Sequence, residues 1–332
     1  MSKLDLQPFE DLAAWDALVQ RSPQGSLFCE SWFAEAAGEP VQRWAVMQKG
    51  TLKAGLCLPV SADGRRVIAP DLTIYAGLLY DLDAERQRVK RRHDEFQIAE
   101  FVAAELAARF DGVELQLAPQ IEDLRPWLWH DYHGPAEGRY RTDLRYTTVL
   151  DISSLQGQGG QEAAAQQSAL FAEMETVRRY SVREGWKKGG RVEIVHDSGP
   201  LLDFYRALMS AQGQPPEEAR LQAMAGVMQA LIARGRGAIF HVLDAEGALL
   251  YAVAYGWDER RAFYLYGAGN PARSAPWQGT LAHWVAFQYL AQEHGLSEVD
   301  LEGINSPQRG WFKLGFGGDL VSYCCVRRGG MA

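Results

Sequence analysis

Cysteine is scarce in this sequence, with four residues among 332: Cys29, Cys57, Cys324 and Cys325. None forms a C-x-x-C pair or stands at a metal-like spacing from a histidine, so neither a zinc site nor a disulfide framework is expected. Neighbours Cys324 and Cys325 would point to opposite faces of a strand and make poor disulfide partners, which fits a reducing compartment. The N-terminal stretch "MSKLDLQPFEDLAAWDALV" lacks an apolar signal-peptide core. No apolar run approaches the roughly eighteen residues of a membrane helix. These absences place the protein in the cytoplasm. H-E-x-x-H, a nucleophile elbow and the phosphate loop G-x-x-x-x-G-K are also missing, which argues against zinc hydrolases, serine esterases and P-loop enzymes. Positive charge is in deficit, with a formal net charge of −8. A general nucleic-acid-binding surface is excluded, and any such partner would need a local basic patch.

What is present is ample apolar material, 47% hydrophobic and 11% aromatic, in a chain long enough for two domains of roughly 150 residues each. The first half reads as a helix over 8–21, a short second helix, three strands, a long helix over 84–110 and two further strands. "SLQGQGGQEAAAQQS" is poor in apolar residues and marks the boundary between halves. A helix is expected over 162–188, stopped by Gly189-Gly190. The second half then runs strand, two helices, a three-strand antiparallel meander, helix, strand, strand. This is an α+β unit. The first half repeats its grammar, pointing to a structural duplication. The expected division is 1–152, a linker with a basic helix over 153–190, and 191–332.

Two features carry chemistry. Near the C-terminus, "WFKLGFGG" surrounds Lys313 with Trp311, Phe312, Phe316 and three glycines. A lysine at a strand end is ordinarily solvated. Here glycines would let backbone approach a ligand and aromatics would strengthen the field of the ammonium on an anion. The second feature is a run of bases at Arg178, Arg179, Arg183, Lys187, Lys188 and Arg191. Within it Arg179, Arg183 and Lys187 share a helix face by i, i+4, i+8 spacing. Such a stripe would suit nucleic-acid phosphates.

Several stretches together resemble the FemABX and BioF2-like acyltransferases of the GNAT superfamily. They are "ETVRRYSVREGWKKGGRVEI", "LLDFYRALMSAQG", "AFYLYGAGNPARSAPWQGTLAHW" and "VDLEGINSPQRGWFKLGFGG", with "GSLFCESWF" and "APDLTIYAGLLYD" in the first half. The resemblance spans nearly the whole chain, and F-K-x-x-F-G is its most specific part. It implies two tandem GNAT-like domains, each a mixed, mostly antiparallel sheet flanked by helices. It also implies an acyltransferase that forms an amide on a primary amine, with aminoacyl-tRNA as donor.

In that family the lysine corresponding to Lys313 meets negative charge on the donor or the tetrahedral intermediate. Asp81 stands where the cell-wall branch has an acid and is the expected general base. Tyr75, Tyr264, Tyr266, Phe312, Trp277 and Gly279 are the expected donor- or acceptor-binding residues, and the 178–191 bases would dock tRNA. No metal or organic cofactor is expected, and an amine-bearing small molecule or precursor is the expected acceptor. The chain departs from the pattern at Ala36, four residues after Trp32, where the cell-wall branch carries a lysine; this weakens a nucleotide-linked cell-wall acceptor. In "ARSAPWQGTLAHW" only Gly279 remains of the loop that cradles the diphosphate of coenzyme A in ordinary GNAT enzymes. The alternatives are an acyl-CoA-dependent N-acyltransferase and a binding module that has lost the chemistry.

Overall fold

The computed structural model describes residues 3–157 and 162–329, without the side chains of residues 163, 164 and 308. Leu6 is buried between polar neighbours, and Leu4–Pro8 form strand β1 where a helix was expected to begin at Pro8. Helix α1 spans Leu12–Arg21, because the Asp11 side chain accepts a hydrogen bond from the Ala14 N–H and fixes the start there. Helix α2 (Ser31–Ala37), strands β2 (Val41–Gln48), β3 (Thr51–Pro59), β4 (Arg66–Val67) and β5 (Gly77–Tyr80) follow. Then come helix α3 (Arg88–Arg109), strand β6 (Gly112–Gln116), helix α4 (Arg125–Trp129) and strand β7 (Arg141–Asp151).

The stretch expected as one helix over 162–188 is three: α5 (Glu162–Ala165), α6 (Ala169–Glu173) and α7 (Thr176–Lys187). Ser168 starts α6 by accepting the Phe171 N–H, and Glu175 leaves helical geometry to donate its N–H to the Gly315 carbonyl. Next are β8 (Arg191–Val195), α8 (Gly199–Ala211), α9 (Glu218–Ala233), β9 (Gly237–Leu243), β10 (Leu249–Trp257) and β11 (Arg261–Gly269). The chain ends with α10 (Gln278–Glu293), β12 (Glu298–Asp300), α11 (Pro307–Leu314) and β13 (Asp319–Arg328). The F-K motif therefore opens on a helix. Pro307 suits its first turn, and Gly315 caps its end.

Two units emerge, and the chain passes between them inside strands rather than in the Gly/Gln-rich stretch. The first comprises residues up to Arg145 and from Ser322 onward, the second Tyr146–Val321. Part of the Gly/Gln-rich stretch, residues 158–161, lies outside the described residues. In the first unit one sheet has the order β1-β2-β3-β5, all antiparallel, and β6 pairs with β4 and β13. Its core gathers Leu56, Leu78, Val102, Leu106, Leu115 and Trp127.

In the second unit the order is β7-β12-β11-β10-β9-β8. All its pairs are antiparallel except β11 with β12. Helix α10 is apolar on almost every side and buries Leu281, Trp284, Phe287 and Leu290 in the core. No described helix is long and apolar enough to cross a membrane.

Trp284 is fully buried, meets Phe171 edge-on at 5.0 Å between ring centroids, and donates its indole N–H to Glu162 at 3.0 Å. Trp284→Ala is expected to cost about 3–5 kcal/mol of stability. Chemical denaturation measures this, and a loss under about 1 kcal/mol would contradict the assignment of Trp284 to the core.

Candidate active site

The second unit's candidate site lies where two strands part company. Strand β11 pairs in parallel with β12 over three positions only, Arg261 with Glu298, Ala262 with Val299 and Phe263 with Asp300. Beyond that point the chain after β12 stays with β7: Leu301 donates to the Thr148 carbonyl and Ile304 to the Tyr146 carbonyl. Strand β11 continues to Gly269 without that neighbour. Pairing that ends this way leaves backbone carbonyls in need of donors.

Lys313 supplies them. Its ammonium donates to the carbonyls of Glu302 at 3.4 Å and Gly303 at 3.2 Å. It also lies 4.6 Å from the ring centroid of Tyr264, on β11. The lysine thus stands between the diverging chains, only 8% exposed, and the solvated strand-end reading does not hold. It occupies the last turn of α11, held inward by Phe312 and Phe316, whose rings pack together at 5.4 Å. An ammonium carries three N–H donors, and the third has no partner among the described residues. Burial lowers its pKa to about 8, against the opposing pull of Glu302 and Asp300.

The acids beside it differ in their partners. Asp300 accepts the Thr147 hydroxyl at 2.5 Å and the Glu302 N–H at 2.7 Å. The second of these bonds folds the chain back on itself and holds Glu302 at φ 55, a left-handed conformation uncommon for a residue with a side chain. Glu302 is 7% exposed, and its Oε1 is buried without a hydrogen-bond partner among the described residues. Burial, joined by the charge of Asp300, pushes its pKa well above the carboxylate range, with Lys313 pulling the other way.

Around this centre the walls are aromatic. His283 is buried, and its Nδ1 shares a 2.5 Å hydrogen bond with the Tyr255 hydroxyl. Burial takes its pKa down to about 3, so the imidazole is neutral, and the Lys313 and Arg178 charges add to that. Arg178 turns inward from α7, 4.4 Å over the Phe312 ring and 3.4 Å from the Thr280 hydroxyl. Its Nε is buried without a hydrogen-bond partner among the described residues. Gly279, at the start of α10, leaves room for Phe312, whose ring would lie 3.4 Å from a Cβ there.

The residues expected from sequence fall into three places. Lys313, Phe312, Tyr264, Gly279 and Arg178 come together here. The Tyr266 hydroxyl donates instead to the Met224 carbonyl and ties β11 to α9. Trp277 is buried against Gly185 and Gly190, where a Cβ on Gly190 would come within 2.7 Å of its ring. Tyr75 and Asp81 belong to the first unit. Tyr75 is packed edge-on against Tyr323 at 5.4 Å, and both Asp81 oxygens accept from Arg21 at 2.7 Å.

The basic run is not one stripe. Arg179, Arg183 and Lys187 follow one face of α7, while Arg178 is turned inward. Lys188 lies 3.8 Å from Glu184, and Arg191 stands on β8. Sequence reading missed Glu302, Asp300, Thr147, Tyr255 and His283. Asp300 and Glu302 were legible as acids two apart in an apolar strand end, but His283 sits in a helix apolar on every side and gave no signal.

The loop leading into α10 bears on the donor. Its Arg273 is already paired with Asp244 and Glu246, both at 2.6 Å. The adjoining cavity of about 480 Å³ is lined by three acids, Glu184, Asp244 and Glu246, and two bases, Lys188 and Arg273. With Trp277 filling the space beside the helix start, this is a poor cradle for a diphosphate.

No protein-family model matches the chain, and no curated protein matches its sequence. Among solved structures it is similar to FemX, at TM-score 0.60 and 14% identity over 96% of each chain. It is similar to a tandem GNAT protein from the clavulanic acid biosynthesis pathway, at TM-score 0.55 and 14% identity over 99% of this chain and 100% of that one. It also matches the C-terminal domain of a putative lysylphosphatidylglycerol synthetase from Agrobacterium fabrum. There the TM-score is 0.54 and the identity 13%, over 96% of this chain and 92% of that one. The fold is that of tandem GNAT-like domains, as expected.

The depressed pKa of Lys313 makes a stability prediction. Below about pH 8 the lysine is protonated both folded and unfolded, and the fold carries the full cost of burying the charge. Between about pH 8 and the ordinary lysine value the unfolded chain holds the extra proton, so stability rises with pH. Urea denaturation should show wild type gaining on Lys313→Met from pH 7 to pH 10. A difference independent of pH would contradict a desolvated ammonium.

Proposed function

We propose that the protein is an acyltransferase that forms an amide on a primary amine, with aminoacyl-tRNA as donor. The observation that carries this reading is Lys313: a buried ammonium with one unengaged N–H, placed where two strands diverge. The likeness to FemX and to a tandem GNAT protein supports the acyl-transfer class.

An aminoacyl ester is already activated, so the protein's part is to orient donor and amine, accept a proton and steady the oxyanion. Lys313 aims its free N–H at the carbonyl oxygen as it becomes negative, from a site where low dielectric strengthens that contact. The inward Arg178 adds positive charge beside it. Arg179, Arg183 and Lys187 offer the RNA backbone a row of cations. Asp81, the base expected from sequence, has both oxygens engaged by Arg21 and remains a proposal on the first unit alone. The acid-lined cavity beside Trp277 disfavours coenzyme A as donor.

Lys313→Ala should lower kcat by about a hundredfold to a thousandfold with the circular dichroism spectrum preserved, assayed below the Tm of the variant. The assay is consumption of donor from a pool of charged tRNAs, run beside a set of acyl-CoAs with a panel of primary amines. Unchanged turnover would remove Lys313 from the mechanism, and consumption of acyl-CoA alone would replace the tRNA reading. Charged-tRNA binding should also fall steeply across a salt series, and neutralising Arg179, Arg183 and Lys187 together should flatten that slope. A slope unchanged by the triple substitution would move the docking surface elsewhere.

A further inference from the structure

Resting on the acyl-transfer reading, we propose that Glu302, in place of Asp81, is the general base, its Oε1 taking the proton of the attacking primary amine. The geometry singles out this carboxyl. Of the two acids at the strand end, Asp300 is engaged by the Thr147 hydroxyl and by the Glu302 N–H. Glu302 Oε1 is buried and has no donor among the described residues. A buried oxygen left so costs stability, and native proteins keep few such atoms without a reason. The left-handed backbone at Glu302 adds to that cost. The bare oxygen is explained if a ligand supplies the missing donor, and a primary amine carries N–H groups of the required kind. The third, unengaged N–H of Lys313 belongs to the same cluster, so one group is left to accept and one to donate.

The step balances. The amine lone pair attacks the ester carbonyl carbon, a C–N bond forms, and the oxyanion meets the Lys313 ammonium. The nitrogen gives its proton to Glu302. The C–O bond to the ribose then breaks, and Glu302 returns that proton to the leaving oxygen and is again a carboxylate.

The charged and titratable groups that act on Glu302 are Asp300 beside it, Lys313 from α11, Tyr264 from β11 and Tyr255 from β10. Arg309 on α11 acts on Lys313 and Tyr264 in turn. With burial and Asp300 raising the pKa of Glu302, the base form appears only as pH rises, so the acid limb of kcat/KM should lie above the ordinary carboxylate range.

The test compares wild type, Glu302→Gln and Glu302→Asp, using a pool of charged tRNAs with glycinamide, glucosamine and lysine as amines. Glu302→Gln should lose about a hundredfold or more in kcat with little change in donor KM and with the acid limb gone. Glu302→Asp should recover part of the rate and the limb, which a merely structural role would not produce. Should Glu302→Gln fail to fold, the Asp variant decides by the position of its acid limb. Wild-type turnover matched by Glu302→Gln, with the same limb, overturns the proposal and leaves acyl transfer standing. A folded wild type that consumes neither charged tRNA nor acyl-CoA defeats the acyl-transfer reading itself, and this proposal with it.

Discussion

The ammonium of Lys313, held by the carbonyls of Glu302 and Gly303 on one side and the Tyr264 ring on the other, is the contact around which the second unit's candidate site is built. Two strands cannot separate inside a protein without leaving backbone oxygens bare. A lysine there answers the need of the backbone and at the same time puts a cation in a dry place. Its burial weakens its hold on its proton and strengthens its pull on any anion that arrives. The surrounding helices serve this arrangement: α11 delivers the lysine, α10 backs it with a neutral His283, and α7 turns Arg178 in over Phe312.

The same reasoning separates this site from its more familiar alternative. A diphosphate wants open backbone N–H groups and unpaired cations at a helix start. Here the corresponding loop has its arginine paired with two acids and its space filled by Trp277. The other cations lie at Lys313 and on α7, where Arg179 is bonded to Ala172 and Thr176 and Arg183 to Gln166, while Lys187 is exposed.

Much of the fold was legible in the sequence because it follows from period and punctuation. The three-strand meander, α8 to α10 and the late strands are set by alternation, proline at first turns and glycine at ends. The failures have local causes. Asp11 delayed α1 and freed β1; Ser168 and the Glu175 contact with Gly315 broke one expected helix into three. The F-K motif was read as a link between strands, yet Pro307 and Gly315 bracket a helix.

Of the site, Lys313 and Phe312 were legible from their glycine and aromatic company, and Tyr264 from its neighbours. The inward turn of Arg178 was not, since its role depends on a ring across the fold rather than on the charge run it belongs to. Nor was Glu302, whose significance lies in a hydrogen bond it lacks. The most direct test of this account is the titration of Lys313, one of seven lysines in the chain, by NMR of side-chain-labelled lysine. One resonance is expected to titrate near pH 8 and to be missing from Lys313→Met. Seven lysines all titrating near their ordinary value would contradict it.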